Sequence, residues 1–280
     1  MRRLVKQLLP CALSNLFSLH NEKKQLSKLG RIRPDISNLF SSFNEDILEN
    51  VFSSDEIGAL WPQVEQEVSS FSVVETADGV NMGDRRAIYH LTRHLRPKSV
   101  LEVGTHIGAS TIHVAAALRT TKEQGGSGAK VTTVDICDVN DMTTKPWLSW
   151  GTKFSPKEMI QKMGASEWVH FITKPSLEFL SATRERFDLI FLDGDHSAKN
   201  VYQEIPAALD HLNPNGVILL HDYFPHGKPL WNGKPPVLGP WLAAQRFQSE
   251  GLQLKILPLG ELPWSTKLDS NITSLALLVK

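Results

Sequence analysis

The stretch SVLEVGTHIGAST, residues 99–111, decides the fold of this chain. An apolar run that contains Glu102 is followed by Gly104, Gly108 and small hydroxylic residues. This order predicts a buried strand that turns into a helix, where the glycines let a ligand approach the backbone and the first helical turn offers free N–H groups. A tight packing turn is the alternative interpretation, since glycine turns are common.

The composition of the 280-residue chain is that of an ordinary globular protein, with 41% hydrophobic residues and a formal net charge of zero. This length is enough for one large α/β domain with an extension, or for two small domains. A neutral chain predicts no nucleic-acid partner. Cys11 and Cys137 form no metal-binding or disulfide pattern. The sequence contains no run of about 20 apolar residues, so we expect no membrane span. We therefore expect a cytoplasmic protein in a reducing compartment.

The first 20 residues are basic, with Arg2, Arg3 and Lys6 and no acid. Lys6, Gln7 and Pro10 interrupt the apolar run, which argues against a secretory signal. A basic amphipathic arm predicts peripheral contact with a membrane, or a homo-oligomer in which the arm lies on a partner subunit. A frayed, solvated arm is the alternative.

Charge changes sign after this arm, since residues 35–84 contain many acids and no Lys or Arg. Residues 44–68 carry Leu, Ile, Val and Phe at helical spacing, and acidic runs of this kind usually form solvated helix faces. We predict an N-terminal helical extension over residues 1–75 and a main domain over 76–280.

From residue 99 onward, short apolar runs alternate with helical stretches. The predicted strands are 99–103, 130–135, 168–173, 188–193, 216–222, 252–259 and 272–280. The predicted helices are 109–119, 155–164, 176–183, 197–212 and 239–250, and Pro206 should kink or split the fourth of them. Apolar strands separated by helices imply a parallel sheet covered on both faces, with ligands beyond the carboxyl ends of the strands.

The residues that follow the first two predicted strands indicate a nucleoside site. The spacing after the first strand is G-x-x-x-G, and His106 stands where a dinucleotide site would have its middle glycine, which weakens a pyrophosphate interpretation. The second strand ends at Asp135, whose carboxylate can accept both hydroxyls of a ribose.

The fourth and fifth predicted strands end in acids and histidines. FLDGDHS places Asp193, Asp195 and His196 at one tip, and Asp222 follows the next strand. If these strands are neighbours, Asp193 and Asp222 face each other and suit Mg²⁺, with His196 as a general base. In the alternative interpretation, Asp195 and Ser197 cap the following helix and His196 is solvated.

Three segments together carry a family resemblance: GVNMGDRRAIYHLTRHLRPKSVLEVGTHIGAST (79–111), FDLIFLDGDHS (187–197) and GVILLHDY (216–223). Over residues 78–280 the chain resembles class I S-adenosylmethionine-dependent O-methyltransferases of the catechol O-methyltransferase type. The Asp193-x-x-His196 spacing is more similar to the macrolide-sugar O-methyltransferases. The resemblance implies a Rossmann-like, doubly wound α/β fold whose seven-stranded sheet is mostly parallel with an antiparallel last strand.

The resemblance also implies S-adenosylmethionine as the cofactor. Its implied contacts are Met82, Gly83, Glu102, Gly104, Thr105, His106, Gly108, Ser110, Asp135, Ile136 and Ser176. Asp193 and Asp222 would be the ligands of Mg²⁺. Tyr223 stands where the relatives have a third ligand, Asn or Asp, so a third ligand is missing unless His221 or Asp195 replaces it.

The expected reaction is methyl transfer to a hydroxyl of a small molecule or glycan, with His196, Asp193 and Asp222 as catalytic residues. The lysine base of the catechol type is absent, which favours a sugar, polysaccharide or secondary metabolite as acceptor. Aromatic loops that contain Trp150, Trp231 and Trp264 are expected to bind it. The alternatives are an NAD-dependent oxidoreductase of similar fold and a non-catalytic protein that keeps the fold.

Overall fold

The structure is a computed structural model that describes residues 11–40, 43–75, 79–126 and 128–280. The basic stretch with Arg2, Arg3 and Lys6 lies outside the described residues, and so does the boundary at 75/76. Within the described part, no helix combines the length and the apolarity that crossing a bilayer requires.

The N-terminal segment forms α1 (Cys11–Leu26), α2 (Glu45–Phe52) and α3 (Asp55–Ser69). The helical stretch predicted over 44–68 is therefore two helices, because a second cap interrupts it. Asn44 caps α2 by accepting the Ile47 N–H, and Ser54 caps α3 by accepting the Ile57 N–H.

The main domain begins with α4 and alternates strands with helices. Its elements are α4 (Met82–Leu95), β1 (Ser99–Val103), α5 (Ala109–Glu123), β2 (Lys130–Asp135), α6 (Pro146–Ser149), α7 (Pro156–Lys162), β3 (Val169–Thr173), α8 (Ser176–Ala182), β4 (Phe187–Leu192), α9 (Ala198–Asp210), β5 (Leu212–Leu220), a 3₁₀ turn (Pro225–Gly227), α10 (Gly239–Ser249), β6 (Lys255–Pro258) and β7 (Ala276–Val279).

The strands form one seven-stranded sheet in the order β3-β2-β1-β4-β5-β7-β6. β1 through β5 pair in parallel, and β7 runs antiparallel to both β5 and β6. The predicted α/β fold, mostly parallel with an antiparallel last strand, is confirmed. The chain moves outward from β1 to β3 and then returns to β4 on the other side, so the crevice between β1 and β4 is the topological switch point where ligands bind in such sheets.

The predictions for β5 and for the helix through Pro206 need correction. β5 begins at Leu212 rather than at residue 216, and its pairing with β4 shifts register between Phe187 and Leu189, where Asn215 has a φ of +61°. Pro206 does not split α9, which runs unbroken through it. The buried apolar side chains of α9 hold the helix against the sheet, and this packing compensates for the one N–H that proline lacks.

The N-terminal segment shares both hydrophobic cores of the domain. Side chains of α2 and α3 pack with α4, α5 and α7 on one face of the sheet. Leu26 of α1 and Leu39 pack with α9 and α10 on the opposite face. Leu39 also bridges to Gly216 in β5, so the segment wraps around the sheet.

Candidate active site

A cleft of about 540 Å³, the first cavity, opens at the carboxyl ends of β1, β2 and β4. It lies at the topological switch point, where the alternation of strands and helices predicts a ligand. Its lining includes these predicted site residues: Gly104, Thr105, His106, Ser110, Asp135, Ile136, Ser176, Asp193 and His196. It also includes Gly79, Val80, Trp150 and Glu204, to which the sequence analysis assigned no cofactor contact.

The loop between β1 and α5 requires its two glycines. Gly104 has a φ of +96°, and a Cβ there would lie 2.1 Å from the carbonyl oxygen of Asp193. Gly108 has a φ of +75° at the start of α5, where a Cβ would lie 2.9 Å from Pro156. The loop is thus pressed against the tip of β4, which brings Asp193 next to the first cavity.

Glu102 lies beneath this loop and does not line the first cavity. Its Oε2 accepts hydrogen bonds from the hydroxyls of Thr111 and Thr133, both at 2.5 Å, and Thr133 is 2.6 Å from the hydroxyl of Thr105. Burial raises the pKa of Glu102 to about 7, although hydrogen bonds from neighbouring hydroxyls oppose the shift. The carboxyl group therefore ties β1, β2 and the start of α5 together from inside.

Asp135 ends β2 and faces the first cavity. Its Oδ2 accepts the backbone N–H of His106 and its Oδ1 accepts that of Cys137, both at 2.9 Å. These bonds fix the carboxylate between two loops. Each oxygen retains a further lone pair that can accept a ligand hydroxyl.

Met82 and Gly83 do not line the first cavity, and Gly79 and Val80 do. Asn81 caps α4, so the chain turns into the helix before Met82. The Gly83 carbonyl accepts the Trp264 indole N–H at 2.9 Å, and a Cβ on Gly83 would lie 2.4 Å from a backbone oxygen of Ser265. The cofactor contacts at Met82 and Gly83 stay a prediction from the resemblance, while the residues of this segment that line the cavity lie three positions earlier.

Four side chains converge where β4 and β5 end side by side. His196 Nε2 lies 3.5 Å from Asp193 Oδ1 and 3.5 Å from Asp222 Oδ2. His221 Nδ1 lies 2.8 Å from Asp193 Oδ1 and 3.7 Å from Asp222 Oδ1. Both imidazoles thus bridge the two carboxylates that the sequence places at these strand tips.

Electrostatics couples the four groups. Burial alone would raise the pKa of Asp193, but the charges and hydrogen bonds of His221 and His196 outweigh it and lower the value to about 2. Burial would lower the pKa of both histidines, but the carboxylates of Asp193 and Asp222 outweigh it and raise the pKa of His196, and that of His221 well above its ordinary value. Asp193 is thereby kept ionised beside two imidazoles that hold their protons tightly.

A third carboxylate supports the cluster from behind. His221 Nε2 lies 3.5 Å from Oδ2 of fully buried Asp84, and that oxygen accepts a 2.7 Å hydrogen bond from the Asn81 amide. His221 is therefore held between Asp84 and Asp193. His221 is expected from the sequence only as a substitute ligand and Asp84 has no expected role, although Asp84 lies in the stretch 79–111 that carries part of the resemblance.

The alternative interpretation of the β4 tip is correct in part. Asp195 accepts the backbone N–H of Ser197, and Ser197 caps α9 by accepting that of Asn200. His196, however, is not simply solvated, because its ring contacts Asp193 and Asp222.

The donor chemistry of the cluster does not suit Mg²⁺. Asp193, His196 and His221 each offer one ligand atom, and these atoms lie within 4.8 Å of one another. Mg²⁺ favours oxygen ligands, whereas two imidazoles suit transition metals. Tyr223, which the resemblance places at the position of a third ligand, is half-buried. Mg²⁺ binding by Asp193 and Asp222 stays a prediction from the resemblance, and the donor set of this cluster does not support it.

A second cavity of about 650 Å³ lies on the other side of His196. It shares Gly79, Asp195 and His196 with the first cavity. Asp222 and His221 also line it. The rest of its lining comes from α1, from the caps of α4 and α9, from the loop after β5 with the start of α10, and from the loop after β6: Ser18, Glu22, Asn81, Ser197, Phe224, Trp231, Lys234, Pro235, Pro236, Val237, Leu238, Gly239, Lys267 and Ser274.

The aromatic residues expected to bind an acceptor separate into different places. Trp231 lines the second cavity, but Trp150 lines the first, where its ring contacts that of His106 with centroids 4.7 Å apart. Trp264 lines neither of these cavities and stacks on the Arg86 guanidinium at 4.1 Å.

The arrangement of sheet, glycine loop and acidic strand tips is the one that the resemblance to class I methyltransferases implies. Comparison with known proteins agrees: residues 101–223 match a family described as a methyltransferase domain. The O-methyltransferase hkm8 of Aspergillus hancockii is 30% identical over 129 residues, which cover 45% of this chain and 43% of that protein. The match thus spans less than half the length of this relative.

Two solved structures share the fold. An O-methyltransferase from Bacillus cereus in complex with S-adenosylhomocysteine (SAH) has a TM-score of 0.52 and 18% identity, over 86% of this chain and 98% of that chain. Cofactor-bound Rv0187 from MTB has a TM-score of 0.52 and 17% identity, over 90% of this chain and 98% of that chain. These structures share the fold of this chain, and the match of residues 101–223 to the methyltransferase-domain family agrees with the resemblance to class I O-methyltransferases.

Proposed function

We propose that this protein is an S-adenosylmethionine-dependent O-methyltransferase that methylates a hydroxyl of a sugar or another polyhydroxylated small molecule. One observation carries the proposal: two cavities of ligand size meet at a single histidine that is bridged to two carboxylates. A donor in one cavity and an acceptor in the other would face each other across His196, and such alignment supplies a large part of methyl-transfer catalysis.

The first cavity has the features that bind a nucleoside with a charged tail. Asp135 is placed to accept ribose hydroxyls, and Ile136 and Trp150 offer exposed apolar faces to a base. The Gly104 backbone allows close approach of the methionine end. When bound, S-adenosylmethionine supplies an electrophilic methyl group on a sulfonium.

The cluster at the junction would remove the proton from the acceptor. A sugar hydroxyl is a poor nucleophile, and transfer of its proton to a positioned base contributes about 10²–10⁴-fold to such reactions. His196 is the candidate base because it faces both cavities and its ring lies against Asp193 and Asp222. Asp193 and Asp222 orient the ring and stabilise its charged form.

The acceptor class follows from the lining of the second cavity. Most of its residues are polar or charged, including Glu22, Asp222 and Lys234, and Trp231 adds an aromatic surface. Carboxylates and ammonium groups exchange hydrogen bonds with hydroxyls, whereas a flat phenol would favour a predominantly apolar slot. The similarity to an O-methyltransferase also supports oxygen as the methylated atom.

Calorimetric titration with SAH, S-adenosylmethionine and NAD tests the cofactor. We expect both S-adenosyl compounds to bind and NAD to give no heat. Asp135→Asn should weaken SAH binding by about tenfold or more, the value of a hydrogen bond to a charged group. Asp138→Asn, an exposed acid of the same loop, is the matched control and should bind normally. Preference for NAD would contradict the proposal and support an oxidoreductase.

A further inference from the structure

The helix α1 reaches the second cavity. Ser18 and Glu22 are four residues apart on one face of α1, and both line this cavity together with His196 and Asp222. The family resemblance covers residues 78–280 only, so it implies no role for α1. One side of the second cavity is therefore formed by a helix that lies outside the predicted methyltransferase domain.

The position of α1 is fixed by contacts with the domain. Glu22 Oε2 accepts the backbone N–H of Ala198 at 2.7 Å, at the start of α9 and two residues after His196. Leu26 is buried against α9 and α10, and the Arg246 guanidinium donates to the carbonyl oxygens of Leu26 and Leu29. The helix is thus attached at the end next to the catalytic cluster.

We propose that α1 forms the outer wall of the acceptor site and that the Glu22 carboxylate accepts a hydrogen bond from a hydroxyl of the acceptor. This inference rests on the proposed function. The Ala198 N–H engages one oxygen of Glu22, and a carboxylate has about four acceptor positions in all. Ser18, one turn earlier, adds a hydroxyl to the same wall.

The charges around the cavity favour a neutral acceptor. Glu22, Asp195 and Asp222 contribute carboxylates, while Lys234 and Lys267 contribute ammonium groups and His196 an imidazole. Groups of both signs distributed around one cavity suit a ring with several hydroxyls, which donate to the carboxylates and accept from the ammonium groups. The class that fits is a neutral glycoside.

A purely structural role for Glu22 makes a different prediction. Ser197 already caps α9, and a carboxylate near a helix N-terminus is stabilising by itself. If Glu22 served only that purpose, its loss would lower the melting temperature, kcat and cofactor affinity together. If it contacts the acceptor, Glu22→Gln, which keeps an oxygen for the Ala198 N–H, raises the acceptor KM without lowering the melting temperature, kcat or cofactor affinity.

The experiment measures methyl transfer from radiolabelled S-adenosylmethionine to methyl glucoside, methyl rhamnoside and a macrolide glycoside, with catechol as the flat alternative. Glu22→Gln keeps an oxygen for the Ala198 N–H and removes the charge, whereas Glu22→Ala removes both. We expect Glu22→Ala to raise the KM for the best glycoside by about tenfold or more, and Glu22→Gln by several-fold, with kcat and SAH affinity unchanged. Asn21→Ala, exposed on the neighbouring face, is the matched control and should leave KM unchanged.

Each other outcome overturns the inference. Methylation of catechol alone, or of no acceptor by a protein that binds SAH, refutes the glycoside class. An unchanged KM in both Glu22 variants refutes the contact, and a joint loss of melting temperature, kcat and SAH affinity leaves Glu22 as a helix cap. Failure of the wild-type protein to bind SAH instead refutes the proposed function itself.

Discussion

The first and second cavities meet at His196, yet the chain builds them in different ways. Most residues of the first lie at or just after the ends of strands, and its shape is set by backbone geometry at Gly104 and by the carboxylate of Asp135. The second adds to the tips of β4 and β5 residues from α1, the loop after β5 and the loop after β6, segments far apart in the sequence. Residues at the ends of strands can be predicted from a local sequence pattern. The lining of the second cavity cannot, because tertiary packing brings its segments together.

The largest effect is expected at Gly104, where the first cavity depends on the backbone. Gly104→Ala places a Cβ within 2.1 Å of the Asp193 carbonyl oxygen in a left-handed conformation, so either the loop or the tip of β4 must move. We expect loss of measurable SAH binding and a stability loss of about 2 kcal/mol or more, by calorimetry and thermal unfolding. Gly128→Ala, which meets no heavy atom within 4 Å, should change neither quantity. Normal SAH affinity in Gly104→Ala would show that the loop is not pressed against β4.

The next effect falls at the junction of the cavities. His196→Ala removes the imidazole that contacts Asp193 and Asp222, and we expect kcat for methyl transfer to fall by about 10²–10⁴-fold. SAH affinity should change by no more than a few-fold, since binding depends on the strand tips. His170→Ala, exposed on β3, serves as control. Full turnover in His196→Ala would exclude this residue as the base.

The same contrast explains what the sequence predicts and what it does not. β1 and β2 have the predicted bounds because their apolar runs end abruptly at a glycine and at an acid. β5 starts four residues early because Pro214, Asn215 and Gly216 resemble a turn, although they form an irregular strand beside β4. No local pattern predicts that a loop residue is buried between two carboxylates.

That last point applies to His221 and to α1. His221 follows β5 in a polar triplet that reads as solvent-exposed, but Asp84 from α4 and Asp193 from β4 enclose it. Ser18 and Glu22 lie on a helix whose sequence gives no sign of the second cavity. These positions depend on contacts over more than a hundred residues of chain, which periodicity and caps do not encode.

The pH dependence of stability tests whether Glu102 is buried beneath the loop after β1. Glu102 has a pKa of about 7 in the folded protein, above the value of 4.5 expected when unfolded, so the folded state binds the proton more tightly between these values. Its contribution to stability is complete below pH 4.5 and is lost as pH rises through 7. Relative to Glu102→Gln, the wild-type protein should lose at most about 3 kcal/mol over this range. A pH-independent difference in urea unfolding would contradict the burial of this group.

The smallest expected effect separates the two cavities most directly. Trp150 belongs to an aromatic loop expected to bind the acceptor, but the structure places it in the first cavity, 42% exposed and in edge contact with His106. Trp147 is buried and anchors this loop, and its carbonyl oxygen accepts the backbone N–H of Trp150. Covering its face with a base would bury apolar surface, and Trp150→Ala should therefore weaken SAH binding by about three- to tenfold in calorimetry. Leu148→Ala, 54% exposed on the same turn but outside that lining, should bind SAH normally. If Trp150→Ala instead raised the acceptor KM and left SAH affinity unchanged, Trp150 would bind the acceptor, as the sequence predicts, and not the cofactor.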